Sequence, residues 1–178
     1  RRSSDLHYFD ILKESGIDEA EVFEILRQRS RDNSRTPMQW SDGVNAGFTS
    51  AVPWIEVNRN HTTINAEECL EDSDSIFYYY QKLIRLRKEY DVISEGGYEP
   101  ILEDHEAVFA YKRIYGGETL IVLTNFTDTC QFIEAADIKL SEEELTKYKT
   151  LIANDGLLRS ATGIRLAPYG AVMLIREP

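Results

Sequence analysis

The sequence lacks the features that mark several large classes of protein. Its only two cysteines, Cys69 and Cys130, belong to no CxxC or Cys/His pattern, so we expect buried free thiols and no disulfide or metal site. The longest apolar runs, such as residues 120–123, are far shorter than a membrane span. No apolar segment follows Arg1 and Arg2 as in a signal peptide. These absences predict a cytoplasmic protein with no membrane partner.

Positive charge is also scarce. The chain carries 20 Lys and Arg residues against 31 Asp and Glu, which gives a formal net charge of −11 and a pI near 4.8. An acidic protein repels a polyphosphate backbone, and no cluster of basic residues opposes that repulsion here. We therefore expect no nucleic acid partner.

Motifs that carry catalysis or bind cofactors are missing as well. The sequence contains no GxSxG, P-loop, GxGxxG or HExxH pattern. His7, His61 and His105 stand alone among polar neighbours, as surface histidines do. The acidic runs 67–68 and 142–144 are typical of solvated helix starts and do not identify a pair of catalytic carboxylates. The residues alone thus predict no catalytic group, no metal and no cofactor.

Apolar residues are plentiful enough for a globular core, at 42% of the chain. Periodicity and terminal signals predict helices over 5–15 and from Asp18 to about Arg29. The clearest helix is DSIFYYYQKLIRLRKEY, residues 74–90, which has a broad apolar face.

After Gly97 the pattern changes to short strands. AVFAYKRIY and ETLIVLTNF flank Gly116 and Gly117, a pair that can adopt the positive φ angles of a tight hairpin. A second turn is predicted at 168–170. Seven or eight strands result, as in a β-sandwich, and the others are predicted at 98–103, 130–134, 148–153, 163–167 and 171–176.

Between the early helices and the helix at 74–90 lies a stretch with no sustained period. Residues 30–42, SRDNSRTPMQWSD, concentrate charge, amides, a proline and a tryptophan. The whole segment 31–64 is too long for an ordinary connector, and long ordered loops in globular domains are usually functional.

The motif at 31–40, RDNSRTPMQW, closely resembles the bacterial α-glucosidases of the α-amylase clan, glycoside hydrolase family 13. NAGFT at 45–49 and PWI at 53–55 continue the similarity. Further matches occur at DSIFYYY, VFAY and LAPY, so the resemblance covers essentially the whole chain.

The resemblance implies an α+β fold in two parts. Residues 1–96 are similar to the end of a (β/α)8 TIM barrel, as a helical and loop remnant that holds a substrate-lining loop and the last barrel helix. Residues 97–178 are similar to the C-terminal antiparallel Greek-key β-sandwich. We expect these two domains, with the boundary at 96.

The implied function is that of a C-terminal fragment of an exo-acting, retaining α-glucosidase. The family's catalytic carboxylates lie in barrel segments that precede the matched part, so no catalytic residue is assigned and the fragment is expected to be inactive alone. Its expected partners are a short α-glucoside in the parent enzyme and the missing N-terminal barrel, and self-association of the fragment is a further expectation. Isomalto-oligosaccharides and trehalose 6-phosphate both remain open as substrates.

One substrate contact follows from the motif. Arg31 matches the family arginine that helps to bind the non-reducing terminal glucose in the −1 subsite, and a guanidinium offers fixed, charged donors to sugar hydroxyls. Asp32 and Arg35 are weaker candidates for substrate binding. The alternative is that Arg31 and Arg35 hold the loop through Asp32 or backbone carbonyls.

Other residues of the loop have two open roles. Asp32, Asn33 and Gln39 are candidates for ordering the loop. Trp40 and Trp54 could stack on sugar or pack the loop onto its domain.

Two alternatives to the enzyme fragment also stand. The sandwich could be a non-catalytic carbohydrate-binding module, because Phe109, Tyr111 and Tyr115 alternate along one strand as an exposed aromatic row would. It could equally be a purely stabilising module, because a sandwich core explains the same alternation.

Overall fold

The structure is a computed structural model that describes residues 3–29, 31–154 and 158–178, with side chains from His7 onward except that of Arg31. The described chain forms two units, Arg1–Ser75 and Ile76–Pro178. We call them the N-terminal unit and the C-terminal unit and describe each by itself.

The N-terminal unit is helical at its start and irregular afterwards. Its helices are α1 (Ser3–Glu14), α2 (Glu19–Arg29) and α3 (Ala66–Glu71). The backbone N–H of Ala20 donates to the Asp18 carboxylate at 3.0 Å, which caps the start of α2. Three 3-10 turns punctuate the long loop, at Arg31–Ser34, Val44–Gly47 and Arg59–Thr62.

Little of this unit is buried. Among its described residues, the buried hydrophobic ones are Val22 and Ala46. Phe9 of α1 and Phe23 of α2 contact each other with tilted rings whose centroids lie 5.3 Å apart, which pairs the two helices. The described part of this unit therefore contains a helical hairpin and an ordered loop but no extensive core.

The C-terminal unit begins with the predicted long helix. Its helices are α4 (Ile76–Glu89), α5 (Asp91–Glu95) and α6 (Glu142–Thr146). The acidic start of α6 is confirmed as a capped helix terminus, because the Ser141 hydroxyl accepts from Glu144 N–H while the Glu144 carboxylate accepts from Ser141 N–H.

Eight strands follow in the described residues of this unit. They are β1 (Gly97–Ile101), β2 (Val108–Tyr115), β3 (Glu118–Asn125), β4 (Gln131–Glu134), β5 (Lys149–Ala153), β6 (Leu158–Arg159), β7 (Gly163–Leu166) and β8 (Ala171–Arg176). One antiparallel sheet has the order β1-β2-β3-β8-β5, and a smaller one has the order β4-β7-β6. The short β6 was not anticipated, because two residues are too few to show an alternating pattern.

Both predicted turns are confirmed. Gly116 and Gly117 have φ angles of 58° and 87° between β2 and β3, as a two-residue hairpin turn with two positive φ values requires. The second turn closes through a hydrogen bond of 2.9 Å from Gly170 N–H to the Ala167 carbonyl.

The two sheets enclose one apolar core. Alternate residues of the large sheet, such as Ile121, Leu123 and Leu174, pack in one cluster with Ile133 and Ile164 of the small sheet. A fully buried Leu or Ile contributes about 2 kcal/mol relative to the exposed side chain. On the other side of the large sheet, a second cluster joins Val92 of α5 to Leu120 and Ile175.

The predicted fold class is confirmed: helices and loops precede an antiparallel sandwich, and the described residues form no closed barrel. The two compact units divide between Ser75 and Ile76, whereas the expected domain boundary at 96 refers to the parent enzyme and stays a prediction.

Two properties inferred from missing features can be compared with the structure. Cys69 and Cys130 are free, but the expectation that they are buried is wrong: Cys69 is half-buried and Cys130 is exposed. In the described ranges, no helix is long and apolar enough to cross a membrane.

Candidate functional site

The motif that carries the resemblance begins directly after α2. The backbone of Arg31 starts a 3-10 turn that runs to Ser34. The Asn33 side-chain amide donates to the carbonyls of Arg27 and Gln28, at 2.7 and 3.2 Å. These are orphan carbonyls of the last turn of α2, so Asn33 fixes the start of the loop to the end of that helix.

A second contact holds the other side of the turn. The Arg35 guanidinium lies 3.5 Å from the Asp32 carboxylate and 5.7 Å from the centre of the Trp54 ring. Arg35 N–H also donates to the Asp32 carbonyl at 3.0 Å. Arg35 therefore makes an ion pair with Asp32 inside the turn and a cation–π contact with Trp54. The two contacts together link the turn to the segment around Trp54.

The end of the motif is fixed to the region around the start of α3. The Gln39 amide donates to the Asn60 side-chain oxygen at 3.2 Å and to the Ile64 carbonyl. The backbone carbonyls of Gln39 and Trp40 accept from Ala66 and Glu67 N–H, at 2.9 and 3.1 Å. This stretch is thus hydrogen-bonded to the first residues of α3 although it is not a strand.

Between these anchors the chain makes an unusual left-handed turn. Asn45, Ala46 and Gly47 have φ angles of 52°, 54° and 67°. Left-handed backbone costs a non-glycine residue roughly 1–2 kcal/mol. Two hydrogen bonds of 3.0 Å from the Asn45 amide, to the carbonyls of Thr49 and Ala51, offset part of that cost. Ala46 is fully buried and its carbonyl accepts from Trp40 N–H at 2.9 Å.

The end of the loop is capped by Asn65. Its side-chain oxygen accepts from Glu68 N–H at 3.0 Å, and its amide donates to the His61 carbonyl at 2.9 Å. Asn65 is only 4% exposed, so both polar groups need these partners.

Although the loop backbone is well tied down, its large apolar side chains face outward. Trp40 is 53% exposed and Trp54 is 75% exposed. The other exposed apolar residues of the loop are Met38, Val44, Phe48, Val52 and Ile64. The loop therefore presents a fixed backbone and a set of apolar and amide-bearing side chains, which suits a site wall better than it suits a reacting centre.

The structure describes the side chains of some predicted site residues but not that of Arg31. Asp32 and Arg35 are brought together, while the side chain of Arg31 lies outside the described part of the structure. Asn33 and Gln39 make the loop-ordering contacts expected of them. Among the described residues no group of three His, Cys, Asp or Glu side chains is placed to hold a metal ion.

Sequence reasoning missed the part played by Asn45, Asn60 and Asn65. Asn is frequent at turns and helix N-caps, and this composition was the available signal.

His105, expected at the surface, is half-buried, and its Nδ1 accepts from the N–H groups of Ala107 and Val108 at 3.2 and 3.1 Å.

The family of the chain follows from a match to a family model. Residues 3–96 match the family model described as "Alpha amylase, catalytic domain", which covers more than half of the chain. The chain belongs to the α-amylase family.

The chain can also be compared with individual proteins. The chain is 42% identical over 167 residues to an oligo-1,6-glucosidase of Bacillus cereus, covering 93% of this chain and 29% of the relative. It is 40% identical over 168 residues to the trehalose-6-phosphate hydrolase of Bacillus subtilis strain 168, covering 94% of this chain and 30% of the relative. The crystal structure of Bacillus licheniformis trehalose-6-phosphate hydrolase (R201Q mutant) superposes with a TM-score of 0.88 at 44% identity, over 100% of this chain and 32% of that one.

These matches also show how much of each relative's length the chain covers. It spans about 30% of the length of the curated relatives it matches. Most of each relative thus has no counterpart in these 178 residues.

Proposed function

We propose that this chain is the C-terminal part of an exo-acting, retaining α-glucosidase that hydrolyses short α-glucosides such as isomalto-oligosaccharides or trehalose 6-phosphate. The observation that carries the proposal is the match of more than 90% of the chain to bacterial glycosidases at 40–42% identity. In this proposal the catalytic carboxylates belong to the preceding barrel, the isolated chain is inactive and the parent enzyme is cytoplasmic.

The ordered loop supplies the local support. Its backbone is held by amide side chains at its start, middle and end. A site wall must hold its geometry within a fraction of an ångström if binding is to favour the transition state. The contacts of Asn33 and Gln39 therefore fit a segment that positions other groups against a sugar.

Within this proposal Arg31 contacts the terminal glucose. Its backbone lies in the 3-10 turn that Asn33 and Arg35 hold from two sides. Arg35 is engaged with Asp32 and Trp54, so it serves the loop rather than the sugar.

Two substrate classes fit the proposal. The named relatives include an oligo-1,6-glucosidase and a trehalose-6-phosphate hydrolase at nearly equal identity, 42% and 40%. The test is to sequence the source DNA upstream of the Arg1 codon, express the complete open frame and measure hydrolysis of isomaltose and of trehalose 6-phosphate in parallel. An upstream barrel with cleavage of either sugar supports the proposal. A complete frame without barrel or hydrolysis overturns it.

One feature favours a second candidate, a non-catalytic carbohydrate-binding module. The Tyr111 ring lies 5.4 Å from that of Tyr98 and 5.8 Å from that of Phe109, so three rings form a row on the large sheet. Titration of the 178-residue chain with maltose and isomaltose tests this candidate. Binding at millimolar or lower concentration that is lost in a Tyr111→Ala variant supports the module, and its absence supports the enzyme fragment or a purely stabilising sandwich.

A further inference from the structure

The core-facing side of strand β2 ends in a lysine. Val108, Ala110 and Lys112 are its buried positions and alternate with less buried ones, so all three face the interior of the sandwich. Val108 and Ala110 belong to the main apolar cluster, and Lys112 follows them with only 9% of its surface exposed. A lysine that is buried to this extent normally has a carboxylate or another acceptor beside its ammonium group.

The described residues give Lys112 no such partner. Within the described ranges no hydrogen bond or ion pair reaches its ammonium group. Its neighbour across the β1–β2 ladder is the exposed Glu99, whose carboxylate acts on Lys112 from beyond ion-pair distance. Burial lowers the pKa of Lys112 below its ordinary value, because the charged form is poorly solvated there. The ammonium nitrogen is nevertheless not fully enclosed, so a small ion can reach it.

Two further cations lie near Lys112. One is Arg176 of β8, and the other is Lys139, which directly follows the 3-10 turn Ala136–Ile138. Both positive charges act on the Lys112 ammonium and disfavour its charged form. We call Lys112, Lys139 and Arg176 the cationic cluster. Like charges held close together repel one another, and an anion bound among them relieves that repulsion.

The arginine of the cationic cluster is held in place by two buried residues. The Arg176 guanidinium donates to the Thr119 hydroxyl at 3.4 Å and lies 5.7 Å from the centre of the Tyr148 ring. Thr119 is 7% exposed and Tyr148 is 4% exposed, so these contacts fix the guanidinium at the edge of the core. A guanidinium carries five N–H donors, which is more than the single contact with Thr119 uses.

Two carboxylates also act on Lys112. The Glu144 carboxylate accepts from Ser141 N–H at 2.8 Å in the capping box of α6, so it is already engaged. Glu99 is exposed on the edge strand β1, where water screens its charge. Three cations therefore stand against two carboxylates. The local charge is positive, although the whole chain has a formal net charge of −11.

We propose that Lys112, Lys139 and Arg176 form a binding site for a small oxyanion, either inorganic phosphate or a phosphate monoester. Lysine supplies a compact point charge and arginine a planar set of donors, and both groups bind phosphate well. A buried charge without a partner destabilises the folded state, and a bound anion offsets that cost. The site lies wholly in the C-terminal unit and does not depend on the proposed glucosidase activity.

The test is calorimetric titration of the 178-residue chain with inorganic phosphate at constant ionic strength. Because the net negative charge of the chain opposes an anion, we expect weak binding in the millimolar range. Lys112→Met should weaken it by about tenfold or more, since it removes the central charge. Lys82→Met is the matched control, because it removes the same charge from an exposed position on α4, and we expect it to bind phosphate as the unsubstituted chain does.

Thermal unfolding separates the anion site from a simple pairing of Lys112 with Glu99. In chloride we expect Lys112→Met to be at least as stable as the unsubstituted chain, because a buried charge is removed. Phosphate should raise the melting temperature of the unsubstituted chain more than that of Lys112→Met. Glu99→Gln should strengthen phosphate binding, because a competing carboxylate is lost. Equal loss of stability in Lys112→Met and Glu99→Gln, in chloride and in phosphate alike, would assign Lys112 to Glu99 and overturn the inference.

Further outcomes complete the test. Phosphate binding that is equal in Lys112→Met and the unsubstituted chain would overturn the inference, as would stabilisation by phosphate that is equal in every variant, which is a general salt effect. Lys139→Gln should also weaken binding, and it tests the site even if Lys112→Met does not fold. Titration with glucose 6-phosphate distinguishes the two sources of the oxyanion, because tighter binding than that of inorganic phosphate assigns the site to a phosphate monoester and weaker binding to the free ion.

Discussion

At the scale of single residues, side-chain amides do most of the ordering in the motif loop. Asn33, Gln39, Asn45 and Asn65 each donate to at least one backbone carbonyl. A loop without strand ladders must satisfy its backbone groups in another way, and an amide can serve as donor and acceptor together. The polar composition of this stretch is therefore explained largely by structure, even before any ligand is considered.

Asn33 offers a direct test of that view. We expect Asn33→Ala to destabilise the loop by about 1 kcal/mol, because two hydrogen bonds to the end of α2 are lost. Asn33→Asp should cost at least as much, since an isosteric carboxylate has no donor and carries negative charge next to a helix C-terminus. Amide hydrogen exchange over residues 27–35 measures both effects. Protection in Asn33→Asp equal to that of the unsubstituted chain would mean that these bonds do not hold the loop.

Arg31 is the residue with a predicted functional role. In the complete enzyme we expect Arg31→Ala to reduce kcat/KM by a factor that corresponds to roughly 1.5–3 kcal/mol, the scale of a hydrogen bond to a charged group. Arg31→Lys should retain part of this, because the charge remains but the planar fork is lost. The measurement is steady-state hydrolysis of isomaltose and trehalose 6-phosphate, and an unchanged kcat/KM in Arg31→Ala would remove Arg31 from the site.

At the scale of secondary-structure elements, local chemistry accounts for several termini. The Ser141–Glu144 capping box starts α6, Asn65 caps α3 and two glycines make the β2–β3 hairpin. Each of these signals is contained within four residues, so each could be inferred from sequence. By contrast, α5 and β6 are short segments whose formation depends on the sheets they join.

The capping box gives α6 a predictable response to acid. The backbone hydrogen bond from Ser141 lowers the pKa of Glu144 below its usual value of 4.5. A carboxyl group with a lowered folded pKa stabilises the folded state above pH 4.5, and this contribution is lost as the pH falls through the lowered pKa. We expect Glu144→Gln to be less stable than the unsubstituted chain at about pH 7 and to approach it at about pH 3.

Urea unfolding at both pH values measures this difference. Glu142→Gln is the matched control, because it removes a carboxylate from the same first turn of α6 but leaves both bonds of the capping box intact. A stability difference between Glu144→Gln and the control that does not change with pH would contradict the assignment.

At the scale of the whole molecule, the two units differ in how many apolar residues they bury. The C-terminal unit has a continuous core shared by two sheets, whereas the buried hydrophobic residues described in the N-terminal unit are Val22 and Ala46. Regions with little buried apolar surface open at low free-energy cost. Trp40, Val52 and Trp54 of the N-terminal unit are each more than half exposed.

The difference in buried apolar residues between the two units predicts the course of limited proteolysis. In the 178-residue chain we expect trypsin to cut first in residues 7–75, at sites such as Arg35 and Arg59, and to leave a resistant product that starts at Asn60, because no Lys or Arg lies between Arg59 and Lys82. Mass spectrometry of the time course identifies the products. First cuts within 97–178 would contradict the prediction, and resistance of 7–75 would indicate that its apolar side chains are covered, for example by self-association.

The sequence by itself determined the family, the fold class and the turns, because these depend on motifs and on hydrophobic periodicity along the chain. It also singled out Arg31, Asp32 and Arg35, whose role in sugar binding remains a proposal. Only the tertiary structure decided that Asn33 caps α2, that Arg35 faces Trp54 and that the sandwich has two unlike outer faces. These features depend on how segments of the chain meet in three dimensions, and no local pattern records which side of a sheet is left open.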